Sequence, residues 1–435
     1  MTEVRIKLTK EMALEYHLGG KIGLGLLKPL RNDIDLSLAY TPGVAEACRL
    51  IETDPDSAFT HTAKGNTVAV VTDGTAVLGL GDIGAAASIP VMEGKAVLFK
   101  AFADIDAWPV PLIAVRQQGL TGRSDPDAFV DTVARLAVMY GGINIEDVAA
   151  PECFEIEDRL RDMLDIPVFH DDQHGTAIIS LAGLKNYLLL TGKHMADIKI
   201  VINGGGAAGI RIGELFRHAG ARNIFMCDSK GVIHGERSDL TAQKVQFARD
   251  TPCRSLAEVI RGADVFIGVS QPRLVTGEMV RSMAPEPAIF AMANPEPEIR
   301  PEEVKIARND AWIATGRSDY PNQINNVLGF PFIFRGALDV RAMDITLNMK
   351  IACSEALAEL AREEVPEYVR NAYGGIDLTF GREYMIPKPF DRRVFVRASS
   401  AVAESAIKDG AARKIIDIGE YTRALEKKVE KMWMK

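Results

Sequence analysis

Apolar and polar positions change rhythm along the chain, dividing it into a mixed opening, a strand–helix alternation and a helical close. In the opening, the apolar runs 67–73 (TVAVVTD) and 96–103 (AVLFKAFA) predict strands, and the glycines of 79–84 (GLGDIG) predict a turn. The spacing in 127–140 (DAFVDTVARLAVMY) predicts an amphipathic helix capped by Asp125. Next come a helix over 155–164, a strand at 166–170 (IPVFH) and a long helix over 175–190. A buried strand at 198–203 (IKIVIN), a helix over 207–219 and a strand at 223–227 (NIFMC) follow. Short apolar runs recur at 264–269, 288–293 and 311–314. Such alternation predicts a parallel sheet covered by helices on both faces. From about residue 331 the pattern is helical, most strongly at 342–363 and 394–408.

Between the strand ending at Ile202 and the helix opening near Ala207 lies Gly204-Gly205-Gly206-Ala207-Ala208-Gly209, which fits G-x-G-x-x-G. In that setting glycines let the backbone approach a pyrophosphate, and the helix N-terminus offers unpaired N–H groups to it. Gly204, Gly206, Ala207, Ala208 and Gly209 are the candidate contacts. Asp228, about 20 residues further on, is placed to hold an adenine-ribose diol. Ser229, Lys230 and Lys244 offer the alternative of a 2′-phosphate site, so NAD and NADP both remain open. A tight structural turn flanked by solvated lysines is the bland alternative. The fold class is therefore α/β: a mixed N-terminal domain (1–155), a doubly wound, Rossmann-like parallel-sheet domain (156–370), and a helical segment (371–435) packing back on both.

Composition narrows the partners. The 435 residues suit two or three domains, and a net charge of −8 disfavours a nucleic-acid partner. Five dispersed cysteines form neither a disulfide framework nor a C-x-x-C pair. The opening MTEVRIKLTKE has no apolar leader region, and no run of eighteen apolar residues suggests a membrane span. A cytoplasmic setting is the expectation.

Two acidic pairs stand near strand ends, Glu146-Asp147 and Asp171-Asp172. Hard oxygen donors without cysteine suit Mg²⁺ or Mn²⁺. Exposed turn carboxylates, or Asp172 as a helix cap, would explain the same residues. Neighbours on an ideal strand face opposite ways, so Glu146 and Asp147 share an ion only if the chain bends there. Two further residues invite chemistry. Tyr40 precedes a Pro-Gly turn, and Lys95 enters an apolar run taken here as strand. A lysine in an apolar cleft can act as a base; a surface lysine with its stem laid over apolar neighbours is the alternative.

Taken together, SLAYTPGVAE, AVLGLGDIGA, PVMEGKAVLFK, GGINIEDVAAPECFEIE, IPVFHDDQHGTAI, NGGGAAG, MANPEPEI and GRSDYPNQINNVLGFPFIFRGALD resemble the short microbial malic enzymes. The resemblance spans about residues 20–410. It implies oxidative decarboxylation of malate to pyruvate with NAD or NADP and Mg²⁺ or Mn²⁺, in a homodimer without the phosphotransacetylase-like domain of longer forms. By position it implies Tyr40 as general acid, Lys95 as general base and Asp171 as the lysine's partner. It implies Glu146, Asp147 and Asp172 as metal ligands, and the bend that lets them converge. It implies Asn294, Asn325 and Asn326 as contacts of substrate and nicotinamide. One feature departs from larger relatives: Thr72-Asp73-Gly74 is followed by Thr75-Ala76, not by an arginine for the distal carboxylate. Backbone N–H groups near Gly43 or Gly74 are the candidates for that anchor. Rival readings are a metal-independent hydroxy or amino acid dehydrogenase and a non-catalytic NAD(P) sensor.

Overall fold

The structure, a computed structural model, describes residues 9–77, 79–113, 115–117, 119 and 122–433. Most of the opening segment read as leader-free lies outside these residues. Two sheets organise the chain. The first orders its four parallel strands β2-β1-β3-β4, with β1 at Thr67–Thr72, β2 at Asp106–Pro111, β3 at Gly142–Ile145 and β4 at Val168–His170. The second comprises β5 (Lys199–Asn203), β6 (Asn223–Asp228), β7 (Gly231–Val232), β8 (Val265–Gly268), β9 (Ala288–Ala291) and β10 (Trp312–Thr315). Their order is β10-β9-β8-β5-β6-β7, all parallel except the two-residue β7. Strand order reverses at β5, the switch point where such sheets bind ligands. All six residues of β1 and all four of β8 and β9 are buried, as expected of strands covered on both faces.

The helices used below are α1 (Lys10–His17), α2 (Asp33–Ala39), α3 (Val44–Thr53), α4 (Gly84–Ala103), α5 (Pro126–Leu136) and α6 (Glu152–Met163). They continue with α7 (Asp171–Thr191), α8 (Ala207–His218), α9 (Phe330–Asp339), α10 (Leu347–Arg362), α11 (Arg393–Lys408) and α12 (Ile418–Trp433). Asp125 caps α5 by accepting the Ala128 N–H. At the close of the chain, α11 lies on α9 and α10, and α12 brings Lys428 to within 3.2 Å of Asp104 at the end of α4.

Two expectations are corrected. Residues 96–103 are not a strand but the last turns of α4, which contains Pro90. Its buried positions Met92, Ala96, Phe99 and Ala103 keep helical spacing. Within 96–103, Val97, Leu98, Ala101 and Phe102 are apolar as well, so the period is hidden in the sequence. The second correction concerns α7, which starts at Asp171 rather than near Gly175. Two carboxylates in its first turn complement the helix dipole, and Asp172 lies inside the helix instead of capping it.

Helix α7 links the sheets. It begins at the C-terminal edge of the first, packs along α8 and α10, and is buried on most sides. Near its far end the Tyr187 hydroxyl donates to the carbonyls of Glu286 (2.7 Å) and Asp264 (3.3 Å), just ahead of β9 and β8.

Candidate active site

Strands β3 and β4 end in register, Ile145 opposite His170, so the acidic pairs leave the same sheet edge side by side. Asp147 adopts φ +55°, a left-handed turn within one residue. That turn supplies the bend an ideal strand lacks. Glu146, Asp147 and Asp172 each offer one oxygen, and these oxygens lie within 4.8 Å of one another. The Asp172 carboxylate also accepts the Asp147 N–H at 2.8 Å, and Asn144 donates to Glu146 at 2.9 Å.

Lys95 enters from α4. Its Nζ lies 2.6 Å from Asp171 Oδ2, 2.8 Å from Glu146 Oε1 and 4.3 Å from the centroid of the Phe330 ring. Phe99, one turn further along the same face of α4, meets Phe330 edge-on at 4.7 Å. One aromatic contact thus sets the height of the helix and the floor beneath the ammonium. Asp171, fully buried, also accepts from Asn326 Nδ2 at 3.1 Å, and Thr176 fixes that amide by donating to its Oδ1 at 3.0 Å. Gly175 makes this fit possible: a Cβ there would stand 2.3 Å from Asp171 Oδ1 and 2.7 Å from Asn326 Cγ.

Burial alone would lower the Lys95 pKa, but the carboxylates of Asp171 and Glu146 outweigh it and raise the value. Burial raises the Glu146 pKa well above the ordinary range; Lys95 opposes this, while Asp172, Asp171 and Asp147 add to it. Among the described residues, four carboxylates gather here around the Lys95 ammonium. A divalent cation bound by hard oxygens matches that surplus of negative charge.

Not every candidate residue joins this centre. Tyr40 is 71% exposed at the end of α2, and its hydroxyl makes no hydrogen bond among the described residues. Asn294 is exposed after β9, and Asn325 turns its side chain back to accept the Val327 N–H. The anchor foreseen near Gly43 or Gly74 meets a difficulty. The Gly43 N–H donates to Ser37 O and the Gly74 N–H to Thr72 Oγ1, so both are already engaged.

At the second sheet, the glycine turn follows β5. Gly204 has φ +137°, and a Cβ on Gly209 would stand 1.7 Å from the Gly204 carbonyl oxygen, so α8 packs against the turn only without one. Helix α8 opens with no side-chain cap on its N–H groups. Asp228 ends β6 but is already occupied: it accepts from the Lys230 N–H (2.9 Å), Arg237 Nη1 (2.8 Å) and Nη2 (3.0 Å), and Lys244 Nζ (2.7 Å). Burial alone would raise its pKa, but bonds from Arg237 and Lys244 hold it down to about 2. Ser229 is exposed, and Lys230 pairs with Asp239 at 2.7 Å. Pattern reading missed Arg237, whose only sequence signal was a charge in a polar loop.

An uncapped helix at the switch point of a mostly parallel sheet marks an α/β protein of the dinucleotide-binding class. Residues 20–161 match the model of the malic enzyme N-terminal domain and 173–372 that of the malic enzyme NAD binding domain. The chain is 53% identical over 410 residues to a protein of Halomonas elongata named NADP-dependent malic enzyme, covering 93% of this chain and 95% of that one. It is 51% identical to the NADP-dependent malic enzyme of Escherichia coli, covering 97% of this chain but 56% of that longer protein. Among solved structures, malic enzyme from Pyrococcus horikoshii is 40% identical with a TM-score of 0.86, covering 98% of this chain and 97% of that one. The chain belongs to the malic enzyme family.

Proposed function

We propose that the protein oxidises malate and releases carbon dioxide to give pyruvate, reducing NAD(P) with the help of a divalent cation. The observation that carries this reading is Lys95 held between Asp171 and Glu146 beside three convergent carboxylate oxygens. Glu146, Asp147 and Asp172 are the residues to hold Mg²⁺ or Mn²⁺. When bound, the ion supplies Lewis acidity at the C2 oxygen and the nicotinamide supplies the hydride acceptor. Lys95 takes the proton of the C2 hydroxyl. Asp171 stabilises the ammonium that results, and Asn326 keeps Asp171 turned toward it. Glu146 is shared between the lysine and the cation site, so a bound cation would compete with the ammonium for that carboxylate. Asn294 and Asn325 are assigned to substrate and nicotinamide. Tyr40 is assigned to protonate C3 after carbon dioxide leaves.

That last role needs Tyr40 brought to a site. Helices α1–α3 bury none of their residues, and Leu24, Leu26 and Leu27 are 93%, 83% and 80% exposed. An apolar arm of this kind calls for a partner surface, and a second copy of the chain is the partner we assign. Sedimentation analysis should give a dimer, and Leu24→Asp with Leu26→Asp should give monomers with depressed turnover.

The occupied Asp228 favours NADP. Its charge is spent on Arg237 and Lys244, and Lys244 Cε lies 3.1 Å from where a Gly205 Cβ would be. Lys244 thus stands next to the turn, where a 2′-phosphate would share it with Asp228. Trapping labelled carbon dioxide from C4-labelled malate tests the reaction. Removal of metal by EDTA should abolish release and Mn²⁺ should restore it; release that persists in metal-free buffer removes the carboxylate trio from the scheme. No described helix is long and apolar enough to cross a membrane.

A further inference from the structure

Among the buried charges outside the reacting groups, one pair lies against the first turn of α7. Glu157 of α6 is fully buried, and Arg211 reaches it from the second turn of α8, the helix that opens at the glycine turn. Glu157 Oε1 accepts the backbone N–H of His170 at 3.2 Å and lies 2.7 Å from His174 Nε2. Its Oε2 accepts from Arg211 Nη2 at 3.3 Å. Arg211 Nε donates to Gln173 Oε1 at 2.8 Å, Nη1 donates to Glu214 at 2.9 Å, and the guanidinium lies 5.2 Å from the Phe154 ring. Gln173 is held from its other end by donating to the Cys153 carbonyl at 3.2 Å. The residues flanking Asp171 and Asp172 on both sides, 170, 173 and 174, are therefore all tied to Glu157 or Arg211.

A buried ion pair is a weak source of net stability, and its better-attested use is to fix one arrangement among several. The arrangement fixed here is the first turn of α7 relative to the first turns of α8. We infer that Arg211 couples the nucleotide turn to the metal–lysine centre, as a positioning residue acting through Gln173 and Glu157. This rests on the cation site proposed above. A pyrophosphate at the N-terminus of α8 restrains that helix. The planar fork of Arg211 passes the restraint to Gln173, and the carboxylates one and two residues before it are ordered before the cation arrives. Ordering cost met by the first ligand is spared the second, so each tightens the binding of the other.

Mn²⁺ binding followed by the paramagnetic resonance of the free ion, with and without saturating NADP⁺, tests this on the whole chain without reference to turnover. In the unaltered protein, NADP⁺ should tighten Mn²⁺ about tenfold. Arg211→Lys keeps the charge but loses the fork, and Gln173→Met removes the Gln173 branch, together with its bond to the Cys153 carbonyl, while leaving Glu157 in place. Arg211→Lys should bring the factor close to one and Gln173→Met should lower it to about threefold or less, while either ligand alone binds within about threefold of normal. Glu214→Gln trims the far side of Arg211 and should retain the full factor. Should Arg211→Lys fail to fold by circular dichroism, Gln173→Met decides. Full coupling in the folded link variants overturns the inference, as does an unaltered protein that binds both ligands independently. An unaltered protein that binds NADP⁺ but no Mn²⁺ brings down the cation site itself, and the coupling with it.

Discussion

At the edge of the first sheet, five charged groups crowd into a largely buried space, each held by side-chain or backbone partners. At the edge of the second, glycines leave the backbone bare, and the charges stand back in a clamp around Asp228. Both lie at C-terminal ends of parallel strands, but one works through the identity of its side chains and the other through their absence. The first should therefore fail all at once when a group is removed. The second should fail in proportion to the bulk or charge introduced.

The largest effect is expected for Lys95→Ala. Malate oxidation should fall by about 10³-fold, within the range of lost acid–base catalysis, while fluorescence titration still finds NADPH bound. Loss of nucleotide binding as well would break the comparison. Gly209→Ala attacks the other edge. Its Cβ collides with the Gly204 carbonyl, and urea unfolding should reveal a loss of about 1–3 kcal/mol together with weakened NADPH binding. Mn²⁺ binding without nucleotide should survive.

Asp228→Asn tests the clamp by its pH dependence. The native pKa of Asp228 is depressed from 3.8 to about 2, so its stabilisation is present above pH 3.8 and is lost as pH falls toward 2. The variant should be less stable than the parent by about 2 kcal/mol at neutral pH, and the gap should close between pH 4 and 2 in urea titrations. A constant gap would mean the carboxylate charge is irrelevant there. The smallest effect is expected for Lys244→Ala: KM for NADP should rise about tenfold, near 1.4 kcal/mol, with little change for NAD. Equal changes for both would remove the 2′-phosphate from the argument.

Much of this architecture can be read from sequence because β5, β6 and β8 are short apolar runs closed by glycine or acid, a pattern few other elements share. Residues 96–103 escape that reading because a helix apolar on most sides has no visible period. The convergence of Glu146 with Asp147 is hidden for a different reason. It depends on one left-handed residue, and although aspartate tolerates that conformation better than most side chains, sequence pattern does not say which aspartate adopts it. The links of Arg211 join residues 38 and 54 positions apart, the clamp on Asp228 gathers cations from 9 and 16 positions further on, and each of those cations alone reads as a solvated charge. Local rhythm reveals layers; partners across layers emerge only with the packing.

Helix α7 carries a practical lesson for anyone splicing this chain. Its 21 residues span about 32 Å, from the carboxylates at one end to the tyrosine under the second sheet near the other. A chimera joined ahead of Asp171 inherits two of the acidic groups from the donor of its nucleotide-binding half; one joined beyond Thr191 retains the host's. The nucleotide half is thus no interchangeable cassette, because exchanging it at the nearer seam also exchanges part of the chemistry.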